Sequence, residues 1–135
     1  MENKLMLGLT RNNSSIIGFV YTCLFCGAVT EEDINKWAIG IVSSKDIDCL
    51  PIYIIDLMDA KDLKSPSRGI EKIIGFTPLW KRIKEQEYAL YGIAVKQGRT
   101  TLYDAPVNEQ QALNALGEHP EIEKLFRETF PFIKF

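Results

Sequence analysis

The chain has 135 residues, of which 46% are hydrophobic and 25% charged, and a formal net charge of −2. This is the size and composition of one globular domain that can bury a core without disulfides or metals, and it excludes a disordered tail. A balance so near neutrality does not suggest a nucleic-acid binder, although the distribution of charge can matter more than its sum.

The amino end, MENKLMLGLTRNN, carries Glu2 and Asn3 where a secretory signal would be basic, and no long apolar run follows directly. With three cysteines, an odd number, the expected compartment is the reducing cytoplasm. Asn12, Asn13, Ser14 and Ser15 are helix-capping residues ahead of Ile16 and predict a helix start there. The longest apolar run, Ile16 to Val29, is broken only by Gly18, Thr22 and Gly27. As a helix it would be ~21 Å long, against a bilayer core of ~30 Å, so a buried core helix is expected rather than a membrane span. Gly27 suits a C-terminal cap or a close packing point.

Thr30 followed by Glu31, Glu32 and Asp33 is a helix start close to a capping box, with carboxylates at the positive end of the helix dipole. Ile34, Trp37, Ala38 and Ile41 then fall on one helical stripe, which should end near Ser43 and Ser44. Residues 52–57 read two ways. Ile52 to Ile55 have strand propensity, but Pro51 can open a helix with Ile52, Ile55 and Asp59 on one side. Helix is favoured, because nothing in the chain offers a partner strand. Ser65-Pro66 is expected to open a helix through Ile70, Ile73 and Ile74. Thr77-Pro78 is expected to open another, carrying Leu79, Trp80, Ile83, Leu90 and Ala94 and closed by Gly98. Asp104 or Asn108 can cap a helix with Ala112, Leu113 and Leu116. Pro120 begins a last helix with Ile122, Leu125, Phe126 and Phe130 inward, and the apolar tail PFIKF should dock on the core. The prediction is one all-α domain over residues 1–135, of six or seven short helices, with at most one short strand near 52–57.

Cys23 and Cys26 form a Cys-x-x-Cys pair, a spacing that suits zinc or thiol exchange when both lie on one helix face. A reactive pair sits at a helix N-terminus, where the dipole lowers the thiol pKa. This pair lies in the second half of an apolar run, where the opposite holds. Zinc would need two more ligands, and only Cys49 and His119 remain, each isolated in sequence. Core packing is therefore the preferred reading of the pair, with a metal- or thiol-dependent enzyme as the alternative. His119 reads as a surface histidine near a helix end. No nucleophile elbow, phosphate-binding loop or dinucleotide fingerprint is present. Neither a catalytic residue nor a cofactor or metal site is assigned.

Charge is blocked along the chain. Residues 30–62 hold eight acidic and three basic side chains, and residues 63–103 hold eight basic and three acidic. An acidic surface steers a basic partner. The basic block, with Lys81, Arg82 and Lys84 near Trp80 and Tyr88, gives a second alternative, contact with RNA or an anionic surface.

The string CGAVTEEDINKWAIGIV followed by LPIYIIDLMDA resembles a pattern of small helical immunity proteins from bacterial polymorphic toxin systems, including contact-dependent growth inhibition. The resemblance covers about Phe19 to Ala60 and is carried by Gly27, Val29, Thr30, Trp37, Ala38, Pro51, Ile55, Asp56 and Leu57. These are scaffold positions, and no binding residue carries over. The resemblance implies a non-catalytic cytoplasmic protein that neutralises a cognate toxin domain by tight binding, with neither nucleic acid nor membrane as partner. Many such toxins are nucleases with basic substrate-binding surfaces. Joined to the charge pattern, this singles out Glu31, Glu32, Asp33, Asp46, Asp48, Asp59 and Asp62 as the expected contact residues, with Asp56 as a structural cap. Sequence leaves the oligomeric state open.

Overall fold

The structure, a computed structural model, describes residues 5–99 and 105–135. Among these residues the chain forms seven α-helices and no strand, the all-α architecture expected. The helices are α1 (Ser15–Phe25), α2 (Glu31–Ser44), α3 (Tyr53–Leu57), α4 (Ile70–Ile74), α5 (Lys84–Lys96), α6 (Glu109–Glu118) and α7 (Pro120–Thr129), with a single 3-10 turn at Ile47–Cys49. Segment 52–57 is helical, as favoured. Contacts group the chain into two compact units. One comprises Met1–Tyr21 and Glu31–Lys81, the other Thr22–Thr30 and Arg82–Phe135, and the boundary falls inside α1. No helix among the described residues is long and apolar enough to cross a membrane.

In the first unit, α1 begins where the capping cluster predicts, with the Asn13 side chain accepting from the Ser15 N–H. Ile17, Phe19 and Val20 are buried. Helix α2 carries Glu31, Glu32 and Asp33 in its first turn and buries Ile34, Trp37 and Ala38 of the stripe read from the sequence, with Ile41 half-buried. Its Asn35 reaches the end of α3, donating from Nδ2 to Leu57 O (2.8 Å) and Ala60 O (3.1 Å). Tyr53, Ile54 and Leu57 form the buried side of α3, and the Tyr53 hydroxyl donates to Leu9 O.

Two expected helices start later than their Ser/Thr-Pro signals. Ser65 holds a turn instead, its hydroxyl accepting from the Ser67 and Arg68 N–H groups, and helix resumes only at Ile70. Residues 77–83 are not helical, and α5 starts at Lys84. The reason is tertiary. The Ser14 hydroxyl accepts from Leu79 N (2.8 Å) and donates to Leu79 O (3.3 Å), so both polar backbone groups of Leu79 are engaged outside a helix. Gly18 lets this segment lie against α1: a Cβ there would meet the Leu79 carbonyl carbon at 2.5 Å. Trp80 then packs edge-on against Phe19, with ring centroids 4.9 Å apart.

In the second unit, Gly27 takes φ +78° just past α1 and turns the chain, with Ala28 N–H returning to Cys23 O (2.9 Å). Helices α5 and α6 pack closely at Gly92, where a Cβ would lie 2.5 Å from Ala112 O. Asn108 caps α6 through a reciprocal box with Gln111. The other candidate cap, Asp104, lies outside the described residues. Pro120 occupies the first turn of α7, which buries Ile122 and Phe126 and is followed by buried Phe130. The tail docks as expected: the Phe135 ring meets Phe126 edge-on at 5.7 Å, with the Arg127 guanidinium over it at 4.0 Å.

Gly92→Ala therefore forces a backbone-to-Cβ clash and is expected to lower stability by about 1–3 kcal/mol in urea unfolding. Gly40, within α2, has open space around its Cβ position. Gly40→Ala should raise stability by about 0.5–1 kcal/mol.

Candidate functional site

All seven acidic positions picked out from the sequence belong to the first unit, but they do not form one patch. Glu31, Glu32 and Asp33 stand at the start of α2, while Asp46 and Asp48 follow its end. A 14-residue helix is ~20 Å long, so the two groups are separated by about that distance.

The group at the start of α2 is largely structural. The Glu31 carboxylate is half-buried and accepts from Leu63 N (2.7 Å) and Asp62 N (3.3 Å). Asp62 adopts φ +56°, uncommon for a residue with a Cβ, and its carboxylate faces Arg68 at 3.5 Å in an exposed ion pair. Asp33 is half-buried and Glu32 exposed. This corner holds the loop 61–63 onto α2.

The second group lies on a differently built surface. Asp46 caps the 3-10 turn, accepting from Asp48 N (3.1 Å). Pro51 and Ile52 then lead into α3. With Tyr53, Ile54 and Leu57 held inside, helical geometry turns Ile52, Ile55 and Asp56 outward, and Asp59, in the bend after the helix, is exposed as well. Ile52 is 81% exposed and Ile55 47%. Ile47, in the 3-10 turn, is also exposed. Asp56 was expected to be a structural cap. It stands exposed on the outward face instead, and the N-cap position of α3, Ile52, has no side-chain cap bond. Between Lys45 and Lys61 there are four aspartates and no basic residue.

The sequence noted Ile52, Ile55 and Asp59 as one side of a possible helix but gave no role to the isoleucines. The signal that would have found them is the pairing of that side with the Tyr53, Ile54 and Leu57 side. Both are apolar, and a five-residue helix can bury only one.

The thiols differ in their surroundings. Cys23 and Cys26 are buried in the second unit, and Cys49 is half-exposed in the first. Burial pushes the Cys23 thiol well up, and neighbouring Cys26 adds to the effect. Tyr91 is raised first by its own burial and then by Cys26, to which it is hydrogen-bonded. Such an environment suppresses thiolate formation. Among the described residues no three His, Cys, Asp or Glu side chains gather as a metal site. His119 joins α6 to α7, its Nδ1 lying 2.9 Å from Glu121, which also accepts from Gln86 Nε2 (3.2 Å). The Glu121 carboxyl is lowered by its own backbone N–H, then by His119 and Gln86. The basic block is partly neutralised within each unit: Arg68 faces Asp62, Arg82 faces Glu87 and Lys96 faces Glu123.

No family model matches the chain, and neither does any curated protein or solved structure.

Glu31→Ala removes the acceptor of two backbone N–H groups and is expected to cost about 1–3 kcal/mol. Glu32→Ala should cost less than about 0.5 kcal/mol. Equal losses in chemical unfolding would contradict a structural role specific to Glu31. In a native thiol titration Cys49 should react first, with Cys23 and Cys26 reacting only as the protein unfolds. Fast labelling of all three would contradict their burial.

Proposed function

We propose that this protein is an immunity protein, a non-catalytic module that binds a cognate toxin domain, a nuclease with a basic substrate-binding surface, and blocks it. The observation that carries this reading is the run of residues 46–59, in which Asp46, Asp48, Asp56 and Asp59 are all exposed and no cation falls between them in sequence. Exposed carboxylates that follow one another without an intervening cation give the segment a negative potential, which a basic partner neutralises. The same charges attract a nucleic-acid-binding cleft from a distance and speed encounter. Once seated, the module occupies the path of the substrate's phosphates, so inhibition needs no chemistry from the inhibitor. The resemblance of residues 19–60 to immunity proteins of polymorphic toxin systems supports the same reading.

The test is calorimetric titration against the toxin domain encoded immediately upstream of the gene, with toxin activity followed in parallel. One-to-one binding at nanomolar affinity or tighter, with loss of activity, is expected. Asp48→Lys combined with Asp59→Lys should weaken binding by about tenfold or more at low salt, and by less at high salt. Asp46 is left unchanged because it also caps the 3-10 turn. Absence of binding, or binding that leaves the toxin active, would overturn the proposal.

A further inference from the structure

Among the described residues of the first unit, seven large apolar side chains are exposed: Leu5, Leu7, Ile39, Ile47, Ile52, Ile55 and Leu79. Isolated exposed aliphatic residues are ordinary, whereas a cluster rimmed by charge of one sign is a mark of an interaction surface. Ile52 and Ile55, three residues apart at α3, share one exposed side, and exposed Ile47 precedes them in the 3-10 turn. They follow one another across the turn from the 3-10 segment into α3, and Asp46, Asp48, Asp56 and Asp59 are interleaved with them. The backbone bond from Met6 N to Cys49 O (2.7 Å) brings the chain next to exposed Leu7 to the same turn.

Resting on the function proposed above, we infer that Ile52 and Ile55 are the anchors of the interface and enter an apolar recess of the toxin whose rim carries lysine or arginine, while the aspartates act on the rim. Charge complementarity selects this occupant. A second copy of the chain docked through this face would set aspartates against aspartates. Anionic lipid and nucleic acid would be repelled by the same rim. A protein surface with apolar floor and basic edge satisfies both parts. Binding energy concentrates in a few residues that are buried at the centre, whereas exposed rim charges mainly govern association rate. The isoleucines, not the acidic residues, should therefore control dissociation.

The discriminating variants are Ile52→Ser and Ile55→Gln. Ile52 is 81% exposed and flanks α3, so Ile52→Ser removes no buried contact that holds the helix. Circular dichroism and urea unfolding check this for both. Against the upstream toxin domain, each variant is expected to weaken binding by about 30-fold or more, chiefly through faster dissociation. Surface plasmon resonance at two salt concentrations separates the effects. The inference is overturned, with the proposed function intact, if the unmodified protein binds and both isoleucine variants, still folded, dissociate at its rate. If the unmodified protein does not bind, the proposed function fails and this inference fails with it. Self-association abolished by Ile52→Ser would likewise overturn it in favour of a dimer, and binding to anionic vesicles in favour of a membrane surface.

Discussion

The outward surface of the first unit depends on one side-chain amide. A helix of five residues has no stability of its own, because its nucleation cost exceeds what so few backbone bonds return. Helix α3 persists because Asn35 of α2 donates to Leu57 O and Ala60 O at its C-terminal end, where helix carbonyls otherwise lack partners. Tyr53, Ile54 and Leu57 fix its rotation from below. With position and rotation both set, Ile52, Ile55 and Asp56 point outward by geometry alone. The face is thus prearranged, and little conformational freedom is left to lose when a partner covers it.

Much of the fold was legible because local signals agreed with tertiary packing. Thr30 with its acidic first turn, the Trp37 stripe, Asn108 with Gln111, and Pro120 before an apolar periodicity each marked a helix that forms. The misreadings came from Pro66 and Pro78. Both proline signals were sound as local chemistry, but the Leu79 backbone is held by a serine 65 residues away in sequence, and no local window reports that. The candidate surface was legible by half. Charge blocks identified the aspartates, whereas exposure of the isoleucines depends on which side of α3 meets α2, a choice made in three dimensions. Asp56 was misassigned for the same reason.

The cysteines illustrate how spacing differs from environment. A Cys-x-x-Cys pair is chemically permissive, but the medium around it decides its reactivity. In the second unit, burial keeps the Cys23 thiol protonated, and Tyr91 is hydrogen-bonded to Cys26. The close approach of α5 and α6 at Gly92 belongs to the same unit.

The corner where Glu31 meets Asp62 and Leu63 has a further meaning. Two successive backbone N–H groups converge on one carboxylate, and the left-handed turn at Asp62 accompanies that convergence. Concavities of this kind are the nests that proteins use to capture phosphate or sulfate. Here the nest arrives already filled, with a side chain as its tethered guest. These two N–H groups are therefore already engaged, and the corner serves as an internal latch.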